Sequence, residues 1–203
     1  MAANHISLCL FDIGGVLLDF DLQITARRLA PLCGLSSEEI FQRMASWEGI
    51  FPFEEGRIDP PDFFEAMKRR LNFPLDYGSF LPIWNEIFTE KREVGLLVRR
   101  LLGKIPLALI SNTNRLHFDY CYQTFPIVRD IGRYVLSCEV GFRKPDPRIY
   151  QAALSRFDVP PERTLYVDDL PDLIHAGKTL GLESIQFLDA EALRKVLLEK
   201  ELL

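Results

Sequence analysis

Residues 6–12, Ile6-Ser7-Leu8-Cys9-Leu10-Phe11-Asp12, form a short apolar run that ends on an acid. The apolar part shows no alternation with polar residues. It therefore reads as a strand buried on both faces, not as the half-exposed strand of an open antiparallel sheet. Working outward, the pattern recurs. Leu107-Ala108-Leu109-Ile110 runs into Ser111-Asn112, and Leu165-Tyr166-Val167 runs into Asp168-Asp169. With further runs at 134–137 and 184–187, the expected strands lie at 6–11, 105–110, 134–137, 164–167 and 184–187. Stretches with helical periodicity at 117–125, 147–157 and 170–180 separate the last four, and Asp189 is placed to cap a final helix.

Strands alternating with helices predict an α/β three-layer sandwich with a mostly parallel, Rossmann-like sheet. The first interval departs from this rhythm. About ninety residues part the first two strands, far more than one crossover helix requires. The interval is helical in pattern. Residues 21–32 repeat at helix spacing, Ser36 with Glu39 forms a capping box, and Asp59-Pro60-Pro61-Asp62 is a helix start. The expectation is an inserted α-helical cap at 20–89, hinged at 19–21 and 88–92, on a core made of 1–19 and 90–203. Its aromatics, among them Phe63, Phe64 and Trp84, read mainly as cap core. Phe51-Pro52-Phe53 reads as a loop facing the active site.

Composition narrows the function classes. A chain of 203 residues with 48% hydrophobic content suits one domain, or a core carrying a small module. A net charge of −5 provides no global basic field for nucleic acid or an anionic membrane. No apolar run nears the roughly 20 residues that span a bilayer. Residues 1–4 are polar, and the run after them is too short for a secretion signal. These features place the protein in the cytoplasm. Cys9, Cys33, Cys121 and Cys138 contain no CxxC pair and read as buried reduced thiols.

In an open α/β sheet, ligands bind beyond the carboxyl ends of the strands. Asp12, Ser111 and the Asp168-Asp169 pair would meet at that edge. Singly, each also reads as a turn former, a helix cap or a solvated loop residue. Jointly, they describe one site. Two carboxylates about 4 Å apart repel by roughly 4 kcal/mol at an effective dielectric near 20. A hard cation such as Mg²⁺ relieves that repulsion and also gathers phosphate. Gly14 and Gly15 allow a sharp turn whose N–H groups could face an anion. Lys144, framed by Pro145, Asp146 and Pro147, is held ahead of a helix, where a point charge suits a phosphate oxygen.

These residues carry a resemblance. Phe11-Asp12-Ile13-Gly14-Gly15-Val16-Leu17, Ser111-Asn112-Thr113-Asn114, Val140-Gly141-Phe142-Arg143-Lys144-Pro145-Asp146-Pro147 and Val167-Asp168-Asp169 resemble, in order, the four motifs of the haloacid dehalogenase superfamily. Phe53-Glu54-Glu55-Gly56-Arg57-Ile58 and Trp84-Asn85-Glu86-Ile87-Phe88 look like the bacterial sugar-phosphate (glucose-1-phosphate-like) phosphatases. They are also similar to the N-terminal phosphatase domain of soluble epoxide hydrolase. The resemblance implies a Mg²⁺-dependent phosphatase acting on a small phosphorylated molecule. Asp12 would be the nucleophile that forms an aspartyl phosphate. Asp12, the Gly14 carbonyl and Asp169 would bind the metal, with Asp168 in support or bound through water. Ser111 and the backbone at Asn112 would hold phosphate, with Gly15 in the same cradle, and Lys144 would neutralise charge.

The pattern is broken twice. The superfamily's usual second Asp, a general acid and then base, is Gly14 here. The usual Asn or Asp four residues past the metal-binding acid is Leu173, with Asp172 beside it. These departures keep open an impaired, phosphate-binding or regulatory protein. A metal-free dehalogenase is a further alternative, which the Asp168-Asp169 pair disfavours. A receiver domain is disfavoured because its acidic pair precedes the phosphorylated Asp.

Overall fold

The computed structural model describes residues 6–203, so the expectation for residues 1–4 lies outside the described residues. The chain begins with β1 (Leu8–Phe11) and β2 (Leu18–Phe20). The helices α1 (Leu22–Cys33), α2 (Ser37–Ala45), α3 (Ile50–Glu54), α4 (Pro60–Leu71) and α5 (Tyr77–Asn85) follow. After them come β3 (Phe88–Glu90), α6 (Arg92–Arg99), β4 (Leu107–Ser111), α7 (Arg115–Thr124), α8 (Pro126–Ile131), β5 (Tyr134–Leu136) and α9 (Ser137–Val140). The chain closes with α10 (Pro147–Phe157), β6 (Thr164–Asp168), α11 (Pro171–Thr179), β7 (Glu183–Gln186) and α12 (Ala190–Glu199).

The five-stranded sheet has the order β5-β4-β1-β6-β7, and every pairing is parallel. β1 lies where the chain's winding reverses, with β4 and β5 on one side and β6 and β7 on the other. Alternate residues of these buried strands feed two cores. Cys9, Phe11, Leu109 and Val167 pack with Val98, Phe118, Val128 and Leu197 from α6, α7, α8 and α12. Leu8, Leu10, Ile110 and Tyr166 pack with Ile149, Tyr150 and Ile174 from α10 and α11. Helices therefore cover both faces, as the uninterrupted apolar runs require.

The helices between β2 and β3 have a core of their own. Phe53 stacks on Phe63 at 3.9 Å, and Phe63 meets Trp84 at 4.8 Å. Each fully buried aromatic of this kind contributes about 1.5–3 kcal/mol. β2 and β3 pair antiparallel, Leu18 against Glu90 and Phe20 against Phe88, and tie together the two strands that lead into and out of the helical segment.

Several local expectations are corrected. Phe51-Pro52-Phe53 is not a loop. It belongs to α3, whose first turn tolerates the missing proline N–H. Phe53 faces the helical core at 2% exposure, whereas Phe51 is 53% exposed. Asp59 occupies the N-cap position of α4, yet its side chain makes no capping bond. Ser36 and Glu39 do form the reciprocal capping box, and Asp189 accepts from Ala192 N–H. All four cysteines are free, but Cys33 and Cys138 are only half-buried. No helix among the described residues is long and apolar enough to cross a membrane.

Candidate active site

The strand register brings the chemistry together. Phe11 lies opposite Leu109 on β4 and Val167 on β6. Asp12, Ser111 and Asp168 consequently end three adjacent strands at the same edge. Asp12 N–H continues the ladder onto Val167 O at 3.0 Å, which fixes where its side chain starts.

Lys144 is the hub. Its side chain is fully buried, and its ammonium donates to Asp12 Oδ1 (3.0 Å), Asp168 Oδ2 (2.6 Å) and Ile110 O (3.1 Å). An ammonium has three donors, and each has an acceptor. Burial alone would strip the charge from this lysine. Asp12 and Asp168 outweigh burial and hold its pKa above the ordinary value. Asp12 is raised to about 6, by burial first, with Lys144 opposing and Asp168 adding to the rise. Asp12 Oδ1 also accepts from Ile13 N–H at 2.7 Å.

Asn112 positions Lys144. Its Oδ1 accepts from Lys144 N–H (2.6 Å) and its Nδ2 donates to Lys144 O (2.8 Å). Sequence reasoning gave only the backbone at Asn112 a task and missed this clamp. It also missed Tyr166, whose hydroxyl donates to Asp168 Oδ2 at 2.5 Å. Asp168 Oδ1 accepts from Leu170 N–H at 3.0 Å. Both Asp168 oxygens are therefore engaged, and this acid braces Lys144. Asp169 is the next residue. It is half-buried, and its carboxyl is raised by burial and then by the charge of Asp168. Carboxylate oxygens of Asp12, Asp168 and Asp169 lie within 4.8 Å of one another.

Two further expectations change. Gly15 does not offer its N–H to an anion, because that N–H donates to Leu18 O at 2.8 Å. Glycine is required there for other reasons. Its φ is +77°, and a Cβ would sit 2.4 Å from the Asp169 carboxylate. The Leu173 side chain offers no polar group and is 6% exposed, while Asp172 is exposed. The brace expected at 173 comes instead from Tyr166 and from Leu170 N–H.

The helical segment meets this edge through half-buried polar contacts. Ser137 accepts from Thr113 N–H (2.9 Å) and donates to Glu54 O (2.5 Å). Arg143 pairs with Glu54 at 2.7 Å, and its guanidinium lies 4.3 Å over the Phe51 ring. Burial raises the Glu54 carboxyl against the pull of Arg143. His117 is buried. Its Nε2 donates to Trp84 O (3.1 Å), so Nδ1 is the acceptor for Asn114 Nδ2 (3.1 Å). The capping residue of that helix is Asn114. Burial depresses His117 to about 4 and keeps the ring neutral. A cavity of about 320 Å³ opens from Gly14 and Ser111 into the helical segment, with Trp84, Phe88 and His117 in its wall.

A carboxylate that ends the central strand, a buried lysine against it and two further carboxylates within 4.8 Å make up one site at the sheet edge. The chain belongs to the haloacid dehalogenase-like hydrolase family, which it matches over residues 6–181. It is 29% identical to a D-ribitol-5-phosphate phosphatase of Bacteroides thetaiotaomicron over 187 residues, covering 87% of this chain and 89% of that one. It is 25% identical to a sesquiterpene phosphatase of Aspergillus oryzae over 198 residues, 90% of each chain. The fold matches that of a haloacid dehalogenase family enzyme of Bacteroides thetaiotaomicron solved with magnesium and inorganic phosphate. That match has a TM-score of 0.80 at 24% identity and covers 89% of this chain and 93% of the other.

Proposed function

We propose that this hydrolase is a Mg²⁺-dependent phosphatase of small phosphomonoesters, with Asp12 as the nucleophile and residues 20–89 as a cap over the site. The observation that carries the reading is the Lys144 ammonium between Asp12 and Asp168, with the Asp169 carboxylate left free beside them. A positive charge held at a nucleophilic carboxylate suits an incoming phosphoryl group. The two phosphatase relatives support the same reaction.

The donor set fits magnesium. Carboxylate oxygens of Asp12 and Asp169 and the carbonyl of Gly14 are hard ligands, with no nitrogen or sulfur among them. The strain that burial and Asp168 place on the Asp169 carboxyl is what a divalent cation relieves. When bound, Mg²⁺ would supply positive charge to the phosphoryl oxygens.

The chain's own residues do the rest. Asp12 Oδ1 is held by Ile13 N–H and Lys144, which leaves Oδ2 to attack phosphorus. As that bond forms, the bond to the ester oxygen breaks, the leaving oxygen takes a proton from solvent water, and the alcohol departs. Ser111 Oγ and the backbone at Asn112 hold phosphoryl oxygens, and Lys144 offsets their charge. Water then attacks phosphorus, the acyl oxygen of Asp12 leaves, and the carboxylate returns. Asp168, Tyr166 and the Asn112 side chain are positioning residues for Lys144. The four free cysteines support a reducing compartment, the cytoplasm.

The test is phosphate release from a panel of phosphomonoesters with Mg²⁺ and with EDTA, alongside halide release from 2-haloacids. Metal-dependent phosphate release is expected. Halide release that persists in EDTA would replace the phosphatase reading with dehalogenation.

A further inference from the structure

The cavity beyond Ser111 shows which alcohol the ester carries. Resting on the phosphatase reading, we propose that this alcohol is apolar, an aromatic or hydrocarbon group without a second charge, and not a polyol.

The wall supplies large apolar surfaces: Phe20, Leu22, Phe41, Met44, Ile50 and Trp84. The polar side chains in the same wall are turned to other tasks. Asn112 holds Lys144, and Asn114 serves His117 through its amide and caps α7 through its carbonyl. His117 has both ring nitrogens engaged. Glu54 is paired with Arg143, and Ser46 accepts from Arg70. The Trp84 indole N–H is fully covered and without a partner. That leaves Ser111, which faces the phosphoryl group, Thr113, whose hydroxyl donates to Asn114 O at 3.4 Å, and Glu48, which is solvent-exposed.

A polyol buried here would find few partners for its hydroxyls. Each buried hydroxyl left unpaired weakens binding on the order of tenfold. An apolar group gains what the polyol loses, because removing one ring from water is worth on the order of tenfold or more. No lysine or arginine lines the cavity among the described residues, so a second anionic group would have no counter-charge. Nucleoside polyphosphates and phosphorylated carboxylic acids are disfavoured on that ground. At about 320 Å³, the volume lies at the small end of ligand pockets and suits a ring-sized group.

The experiment compares primary alkyl esters, so that leaving-group reactivity stays constant. Steady-state kinetics of the full chain with Mg²⁺ are measured on 2-phenylethyl phosphate, ribitol 5-phosphate and glycerol 1-phosphate, with acetyl phosphate as an activated control. The expected result is a kcat/KM about tenfold or more higher for 2-phenylethyl phosphate than for either polyol ester. Calorimetry on Asp12→Asn should give the same order of affinities without turnover. Phe41→Asn should lower the preference about tenfold, with Phe41→Leu as the apolar control and Ile50→Asn as a second wall variant should the first not fold. Equal or better turnover of the polyol esters overturns the inference, as does a preference unchanged in the folded wall variants. Phosphate release from acetyl phosphate but from none of the alkyl esters also overturns it, while the phosphatase reading stands. No release from any compound removes that reading and this inference with it.

Discussion

At the sheet edge, a fully buried lysine touches Asp12 and Asp168 and leaves no donor unmatched. In the cavity wall a few residues away, lysine and arginine are absent among the described residues, and most polar side chains are engaged by neighbours. Both regions are enclosed, yet one gathers charge and the other excludes it. The difference lies in what each must do when a substrate arrives. On the proposed reading, the edge presents a charged nucleophile without waiting for water to reorganise, so its partners are fixed in advance. The wall must reward one shape of alcohol over another, and apolar surface does that without competing for the phosphate.

If this division holds, the two regions respond differently to substitution, and the largest effect falls at the edge. Asp12→Asn should lower turnover on the order of 10⁴-fold or more on every substrate, since it removes the proposed nucleophile itself. The fold should survive, because the amide keeps the size of the carboxylate and still accepts from Ile13 N–H. Measurable turnover in the purified variant would move the nucleophile elsewhere and dissolve the comparison.

Asp168 tests whether the edge is a network or a set of independent groups. Asp168→Asn leaves Lys144 buried with Asp12 as its only carboxylate partner and disturbs the acceptor of Tyr166. Breaking one side of such a pair costs about 3–5 kcal/mol of stability. Loss of support for the reacting groups should lower kcat about ten- to a hundredfold with little change in KM. Urea denaturation and steady-state kinetics on one preparation read both. A variant as stable as wild type would mean that Asp168 does not hold Lys144. Tyr166→Phe should move in the same direction by less, because Lys144 and Leu170 N–H still reach Asp168.

The seam between the regions has its own reporter in His117. Its folded pKa of about 4 lies below the ordinary 6.5. The unfolded chain therefore binds the extra proton first as pH falls, and this part of the stability is complete above pH 6.5 and lost by about pH 4. The full gap corresponds to about 3 kcal/mol, of which about 2 kcal/mol is gone by pH 5. His117→Gln keeps a donor for Trp84 O but cannot take up the proton. Denaturation at pH 7 and pH 5 should show a smaller loss in the variant than in wild type. Equal losses would place the acid sensitivity in the carboxylates of the edge.

These groups differ in how far sequence could reveal them. The strand-ending acids were legible because apolar runs, their lengths and their last residues are local facts. Lys144 was legible for a similar reason, since Pro145, Asp146 and Pro147 frame it within a few positions. The Asn112 clamp and the Tyr166–Asp168 bond were not. Asn112 meets Lys144 across 32 positions, and that meeting depends on the loops after β4 and β5 being brought side by side. Tyr166 lies two residues from Asp168, which ordinarily puts both side chains on one face of a strand. A tyrosine in an apolar run nevertheless reads as core. His117 bonds Trp84 across 33 positions, a tertiary contact without local signature. The Gly15 N–H was misread because a glycine's freedom shows in sequence while the acceptor it finds does not.

The smallest expected effect falls where the two regions meet, at Gly14. The superfamily's usual acid is missing there, and general acid–base help of that kind is worth about 10²- to 10⁴-fold. On that figure alone, Gly14→Asp would give a large gain, and the geometry argues otherwise. Gly14 does not lie at positive φ, so a side chain is allowed by the backbone. A Cβ there would meet the Phe20 ring at 3.1 and 3.3 Å. That ring is half-exposed and could give way by the few tenths of an ångström that a methyl needs, so Gly14→Ala should alter stability by less than about 1 kcal/mol. A carboxylate reaches further, into space that Phe20 makes apolar, where burial would raise its pKa and displace the ring. Gly14→Asp alone should change steady-state turnover by no more than a few-fold on either class of ester. Gly14→Asp combined with Phe20→Ala should gain up to about tenfold on esters with poor leaving groups, with part of the preference for apolar alcohols lost, because the acid then replaces a piece of the wall. Pre-steady-state kinetics with an aryl phosphate should show a product burst in wild type that shrinks in the double variant as hydrolysis of the aspartyl phosphate quickens. A large gain from Gly14→Asp alone, with the substrate preference intact, would show that edge and wall are separable at this residue and that Phe20 does not stand between them.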